Sequence, residues 1–327
     1  VSRDQILFAP IQGVTNEIFR HAFHKVFTGV DKHFAPFIRV HQGRRTHKGL
    51  RNYLSRFNPS MPVVPQILSN AAGEFLALDE ELAGLGYPEM NWNLGCPFRV
   101  VTSKKRGSGR LPHPERIRAI LEQIMPKLNC GLSIKLRLGL NSPDEILALI
   151  PVLNDFPLRA LIVHLRVGSQ QYRGEVNLER FADCLRLSRH PVAYNGDIFN
   201  QASFQSLKAR FPGVQAWMLG RGILANPFLP EQIQGLGADS DRLGRVVRLH
   251  EAYAGGLAGT LPGRDSCVDR LREFWAYLHF LFEEGRDFYK HLAKIKHWAE
   301  YRSCVQQFFL QNPTMHEHLQ VCSEDFH

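Results

Sequence analysis

Leu132-Ser133-Ile134-Lys135-Leu136-Arg137, then Ser142-Pro143-Asp144-Glu145-Ile146, then Leu161-Ile162-Val163-His164 form a β-rich run, a helix start and a second β-rich run in direct succession. Ser142 stands where an N-cap would, with Pro143 at the first helical position. Strand, helix, strand in that order is a crossover unit, so the two strands run parallel. The alternation continues on both sides. Upstream lie the strand candidates Ile6–Ala9, Phe34–Arg39, Val63–Ile67 and Glu89–Asn93; downstream lie Val192–Tyr194 and Ala216–Leu219. Pro114-Glu115-Arg116-Ile117 opens another helix with Pro and an acid in its first turn. Eight strand candidates within about 220 residues approach the quota of a closed (β/α)8 barrel, about 250 residues. No G-x-G-x-x-G follows the first strand, which argues against a dinucleotide-binding doubly wound sheet. The reading is an α/β chain built on a (β/α)8 TIM barrel.

After Pro227 the pattern changes. Gly235-Leu236-Gly237-Ala238-Asp239-Ser240 reads as a linker, and Leu271, Phe274, Trp275, Leu278, Leu281 and Phe282 then recur at helical spacing. A barrel domain over 1–238 followed by an all-α helical bundle over 239–327 is expected. The 327 residues carry 40 Lys+Arg against 31 Asp+Glu, a net charge of +9, which suggests a polyanionic partner. Disordered and fibrous classes are excluded by the 44% hydrophobic and 22% charged content. No run approaches the roughly 18 apolar residues of a membrane helix, and Val1-Ser2-Arg3-Asp4-Gln5 lacks the apolar core of a secretory signal. The six cysteines form no CxxC pair, so reduced thiols in a cytoplasmic protein without a metal are expected.

Barrel active sites form at the C-terminal ends of strands. Gln66, Asn93, Lys135, His164 and Asn195 each close or follow an apolar run, which core packing alone would not produce. Cys96 stands just past the fourth strand, between Gly95 and Pro97, and projects toward the open mouth as a nucleophile or general acid. An ordinary buried cysteine would more often sit within a strand or helix. Two basic runs contain no acid: Arg39, Arg44, Arg45, Lys48, Arg51 and Arg56 with Tyr53 interleaved, and Arg99, Lys104, Lys105, Arg106 and Arg110 directly after Cys96. Such runs are either solvated faces or phosphate contacts.

Asn93-x-Gly95-Cys96-Pro97 resembles the N-x-G-C-P signature of the tRNA-dihydrouridine synthases. Further matches follow in order along the barrel: Ala9-Pro10 with Gly13-Val14-Thr15, Gln66, Lys135-Leu136-Arg137-Leu138-Gly139, His164-x-Arg166, Asn195-Gly196-Asp197-Ile198 and Gly220-Arg221-Gly222. Phe37-Ile38-Arg39-Val40, Gln170-x-Tyr172-Arg173 and Lys294-Ile295-Lys296-x-Trp298 look most like the bacterial C subfamily. The resemblance implies a flavin-dependent barrel with a helical tRNA-binding domain. In it NADPH reduces bound FMN, hydride passes to C6 of a D-loop uridine, at position 16 for that subfamily, and Cys96 gives the proton to C5. It implies FMN contacts for Ala9, Pro10, Gln66, Lys135, His164, Asn195, Gly196, Asp197, Gly220 and Arg221, the last two loops serving as the phosphate site at the seventh and eighth strand ends. Substrate contacts are implied for Asn93, Arg137, Arg166 and Tyr172, and for Arg39, Arg44, Arg45, Lys104 and Lys105 through their charge. A monomer with tRNA as partner is the family expectation.

Several positions depart from the family pattern. Leu165 and Val167 replace Gly and Thr of H-G-R-T, Asn91 replaces an acid, and Gly109-Arg110 stand where Ala-Leu is usual. Arg110 there implies altered packing or an added RNA contact. The rival reading is an FMN-dependent barrel oxidoreductase acting on a free pyrimidine or other small molecule. Such an enzyme would need neither the basic runs nor the helical tail.

Overall fold

The computed structural model describes residues 3–38, 40–41, 44–45, 61–237, 240–317 and 319–326. Eight parallel strands are found among them: β1 (Gln5–Phe8), β2 (Lys32–Phe34), β3 (Val63–Val64 and Gln66–Ile67), β4 (Glu89–Leu94), β5 (Gly131–Gly139), β6 (Leu161–Val167), β7 (Val192–Asn195) and β8 (Ala216–Leu219). Each pairs with its sequence neighbours, and β1 pairs with β8. The ring is completed through β3. Val63 and Val64 lie beside His33 and Phe34 of β2, while Gln66 and Ile67 lie beside Asn91 and Trp92 of β4. Pro65, which has no N–H, separates the two pieces, and its carbonyl accepts from Asn91 N at 2.8 Å.

Two local expectations are corrected. The second strand is Lys32–Phe34, not Phe34–Arg39; Pro36 interrupts the ladder, which leaves Ile38 only an isolated bridge to Ile67. The helix expected to start at Pro143 begins at Glu145, because the Glu145 carboxylate accepts from Leu140 N (2.8 Å), Asn141 N and Ser142 N (both 3.0 Å). Pro114 does open its helix, Pro114–Ile124, as expected.

Alternation along the strands separates two apolar layers. Leu7, Phe34, Val64, Ile162, Ala193 and Met218 fill the barrel interior. Leu161, Val163 and Leu165 on the opposite face of β6 pack outward into the larger core against the helices. That core continues into the C-terminal helices Arg242–Ala258, Asp265–Leu278, Gly285–Leu292 and Trp298–Leu310. Phe19 meets Tyr253 at 5.2 Å and Phe274 at 5.0 Å between ring centroids. Arg245 pairs with Glu231 at 2.6 Å, and Glu231 also accepts from Thr28 N at 2.8 Å, which ties helical region to barrel. The boundary expected at 238/239 falls on residues outside those described. Among the described residues, no helix is long and apolar enough to cross a membrane, and no group of three His, Cys, Asp or Glu is placed to hold a metal ion.

Candidate active site

The strand register sets polar side chains side by side at one end of the barrel. Asn93 is level with Lys135, and His164 is level with Arg137 on one side and Asn195 on the other. Asn93 Oδ1 accepts from Gly95 N (3.0 Å) and Cys96 N (2.9 Å), which shapes the turn that carries the thiol. The amide is held from behind. Asn93 Nδ2 donates to Gln66 Oε1 (2.7 Å), Gln66 Nε2 to Asn91 Oδ1 (2.8 Å) and Asn91 Nδ2 to Ser133 Oγ (2.9 Å). An amide at position 91 can accept and donate in this chain, whereas an ionised acid only accepts. On the other side of the thiol, Ser108 N and Oγ both donate to Cys96 O at 3.1 Å. Gly107 sits at φ 55°, and a Cβ there would come within 2.6 Å of Cys96 O, so the turn admits only glycine.

Lys135 Nζ donates to Asn195 Oδ1 at 2.8 Å, and Asn195 Nδ2 donates to Met218 O at 2.9 Å. Burial, then Arg137, pushes the Lys135 ammonium down to about 7, with Cys96 acting in the opposite sense. Burial and the four cations Arg137, Lys135, Arg166 and Arg221 hold His164 well below the usual histidine range, so the ring is neutral. Its Nδ1 is buried with no hydrogen-bond partner among the described residues.

The three arginines differ in what is left for a ligand. Arg137 donates from Nε to Gly95 O (2.9 Å) and from Nη1 to Val167 O (3.0 Å) and Gln171 O (2.5 Å), with its guanidinium 5.3 Å from the Tyr172 ring centre. It braces the Cys96 turn while still lining the cavity. Arg166, expected to reach base or phosphate, is wholly buried behind the cavity. It forks onto the Asp197 carboxylate and donates to Gly174 O (2.6 Å) and Ser323 Oγ (3.1 Å). Asp197, in the left-handed region at φ 40°, also accepts from Arg221 Nη2 at 3.1 Å. The Arg221 guanidinium lies 5.0, 5.4 and 5.2 Å from the ring centres of Tyr172, Phe199 and Phe326.

One cavity gathers Ala9, Pro10, Asn93, Cys96, Lys135, Arg137, His164, Tyr172, Asn195, Gly196, Asp197, Gly220 and Arg221. Gln66 and Arg166 stand behind it as supports rather than in its lining. Lys104 and Lys105 are exposed on the turn that follows Cys96, with Arg99. Arg106 faces Asn70 and Glu74, and Arg110 is buried, its Nη2 3.5 Å from Arg116 O, so position 110 alters packing and adds no surface contact. Arg44 and Arg45 form a short antiparallel pairing with Val40–His41, while Arg39, Lys48, Arg51, Tyr53 and Arg56 lie outside the described residues. The sequence reading missed Phe98, Phe199, Tyr277 and Phe326, which also line the cavity. Phe98, directly behind the Cys-Pro turn, carried a signal of position. Tyr277 and Phe326 carried none, since only the tertiary fold brings the helical region and the segment 319–326 to the mouth.

The lining fits a flat, phosphate-bearing cofactor. The unpartnered His164 Nδ1 and the cations Lys135 and Arg221 suit polar and anionic groups. Without that cofactor, Lys135 destabilises the fold while charged. Its proton affinity falls from 10.5 in the unfolded chain to about 7 in the fold. Between those values the unfolded chain binds more protons, so the contribution improves as pH rises from about 7 to about 10. Lys135→Met is therefore expected to raise the melting temperature of cofactor-free protein most near pH 6.5 and least near about pH 10. Thermal unfolding across that range checks it; a pH-independent difference would mean that the ammonium is not desolvated.

Comparison with known proteins places the chain in a family. The family model described as Dihydrouridine synthase (Dus) matches residues 7–326, and the chain belongs to that family of oxidoreductases. A tRNA-dihydrouridine(16) synthase from Pseudomonas syringae pv. tomato is 29% identical over 238 residues, covering 70% of this chain and 74% of the relative. A probable tRNA-dihydrouridine synthase 2 from Bacillus subtilis is 27% identical over 266 residues, covering 76% and 77%. Among solved structures, the old yellow enzyme homologue from Zymomonas mobilis superposes with a TM-score of 0.51 at 9% identity, over 75% of this chain and 94% of that one. That likeness concerns the fold alone.

Proposed function

We propose that the protein is a flavin-dependent tRNA-dihydrouridine synthase. It reduces the C5=C6 bond of a D-loop uridine, at position 16, to 5,6-dihydrouridine with NADPH as reductant. The observation that carries this reading is Cys96, set on a hydrogen-bonded turn at the lip of a cavity shared with Lys135, His164 and Arg221. Ala9, Pro10, Lys135, His164, Asn195 and the loops Gly196–Asp197 and Gly220–Arg221 would hold FMN, with Gln66 as support. When bound and reduced by NADPH, FMN supplies a hydride for C6 of the uracil.

The rest falls to this chain's side chains. Cys96 holds the proton that C5 takes up, so hydride and proton together saturate the bond. A protonated thiol is suited to that role. Lys135, when protonated, favours negative charge at the cofactor. Reaching the ring requires a uridine drawn out of its stack. The exposed cations Arg99, Lys104 and Lys105 beside the mouth suit the RNA backbone. Barrel residues 1–238 would carry the chemistry and residues 239–327 the docking of the tRNA body. Position 16 rests on the names of the Pseudomonas relatives.

The test is nucleoside mass spectrometry of unmodified tRNA after incubation with the protein, FMN and NADPH. A gain of two hydrogens on the uridine at position 16 is expected. A gain elsewhere in the D-loop would overturn the position. No gain from protein that binds flavin and oxidises NADPH would overturn the substrate in favour of a small molecule.

A further inference from the structure

Five large apolar side chains are exposed among the described residues: Leu85, Phe98, Val100, Leu236 and Leu310. Only Phe98 and Val100 are near one another in the chain, at 49% and 61% exposure, and only Phe98 lines the cavity. A phenylalanine left half in water forfeits part of its burial energy. Nothing in the local backbone relieves that loss, since the segment is folded tightly. Val101 is buried, Val101 N and Thr102 N donate to Phe98 O at 2.8 and 3.0 Å, and Asn70 Nδ2 reaches Lys104 O at 3.3 Å. A Cβ on Gly109 would lie 2.5 Å from Thr102 O, so the turn is closed on itself. Phe98 is thus held outward on a firm support, two residues past Cys96.

Its exposed neighbours are Arg99, Lys104 and Lys105. Glu74, the acid that faces this segment, is engaged by Ser69 and lies 4.0 Å from Arg106. An exposed aromatic ring flanked by unopposed cations is the combination that binds single-stranded nucleic acid: the ring takes a base face and the cations take phosphates. A purely electrostatic surface would not place a ring at the lip, and an apolar protein partner would not favour three exposed cations in the same stretch of chain.

Resting on the RNA substrate proposed above, we propose that Phe98 is a positioning residue that stacks on a base adjoining the reacting uridine. The stack holds the strand open at the mouth while the uridine enters the cavity. Loss of one such stack weakens binding by roughly 5- to 150-fold.

The test compares Phe98→Ala and Phe98→Trp with the unaltered protein, using unmodified tRNA and following dihydrouridine by mass spectrometry. The KM for tRNA is expected to rise within that range in Phe98→Ala and to return to within about threefold of the original in Phe98→Trp, because indole stacks at least as well. The emission of the new Trp is expected to be quenched when tRNA binds. The salt slope of KM should be unchanged in Phe98→Ala and shallower in a Lys104→Gln, Lys105→Gln double variant. A KM within twofold in Phe98→Ala, equal losses in both Phe98 variants, or absence of quenching would each overturn the stacking role. Failure of the parent reading looks different: the unaltered protein would then form no dihydrouridine at all.

Discussion

Replacing Cys96 with alanine is expected to lower dihydrouridine formation by roughly 10²- to 10⁴-fold, the usual contribution of a positioned general acid. On the function proposed above, NADPH-driven bleaching of the flavin should continue near its original rate, because Cys96 is assigned only the proton to C5. The expectation rests on how much of the local structure serves to place this one side chain. Asn93 Oδ1 takes the two backbone N–H groups of the turn, and Ser108 takes the Cys96 carbonyl from the other side. Cys130 and Cys184 provide the contrast. Burial, then Asp79 beside Cys130 and Asp183 beside Cys184, pushes both thiols up to about 12, and neither lines the cavity. Cys96→Ser should fall between alanine and the original, since a hydroxyl keeps a donor but yields its proton less readily. Single-turnover assays of product and of flavin absorbance separate the two halves. Unchanged dihydrouridine yield in Cys96→Ala would remove the thiol from the reaction.

The second large effect concerns Arg166. Its side chain is wholly buried and forks onto Asp197, while Nε and Nη2 also hold the carbonyls of Arg173 (3.2 Å) and Gly174 (2.6 Å). Truncation to alanine leaves the Asp197 carboxylate to Arg221 alone and strands two carbonyls. Breaking a buried pair in this way costs about 3–5 kcal/mol. A fall in melting temperature on the order of 10 °C follows, together with weaker flavin binding, because Asp197 sets the direction of Arg221. Arg166→Lys keeps the charge but not the fork and should recover only part of the loss. Calorimetry and flavin titration measure the two effects. A shift below about 2 °C in Arg166→Ala would show that the fork contributes no more than about 1 kcal/mol to the fold.

Much of the barrel can be read from alternation alone, because a strand buried on both faces needs β-rich runs, and Pro114 announces the start of one crossover helix. The polar strand ends were equally legible: Asn93, Lys135, His164 and Asn195 all reach one cavity. What a residue does at a strand end was less so. Arg137 and Arg166 look alike in sequence as cations at the mouth, yet Arg137 lines the cavity while Arg166 is consumed by Asp197 and backbone carbonyls that lie distant in the chain. Gln66 likewise spends its amide on Asn91 and Asn93, partners set by register rather than by spacing. The run Phe34–Arg39 misleads for another reason: its composition is strand-like, but Pro36 cannot donate to a ladder. Tyr277 and Phe326 were invisible because no local pattern says which distant segment will close a cavity.

Ala9 and Phe326 share that cavity although one directly follows the first strand and the other comes after the last α-helix. A ribosome makes them in that order, so the pocket lacks a wall until residue 326 has emerged. At about 5–20 residues per second, that is roughly 15–60 s after Ala9 is made. Nascent chains halted within the helical region carry the strands and the thiol but lack that wall of the cavity.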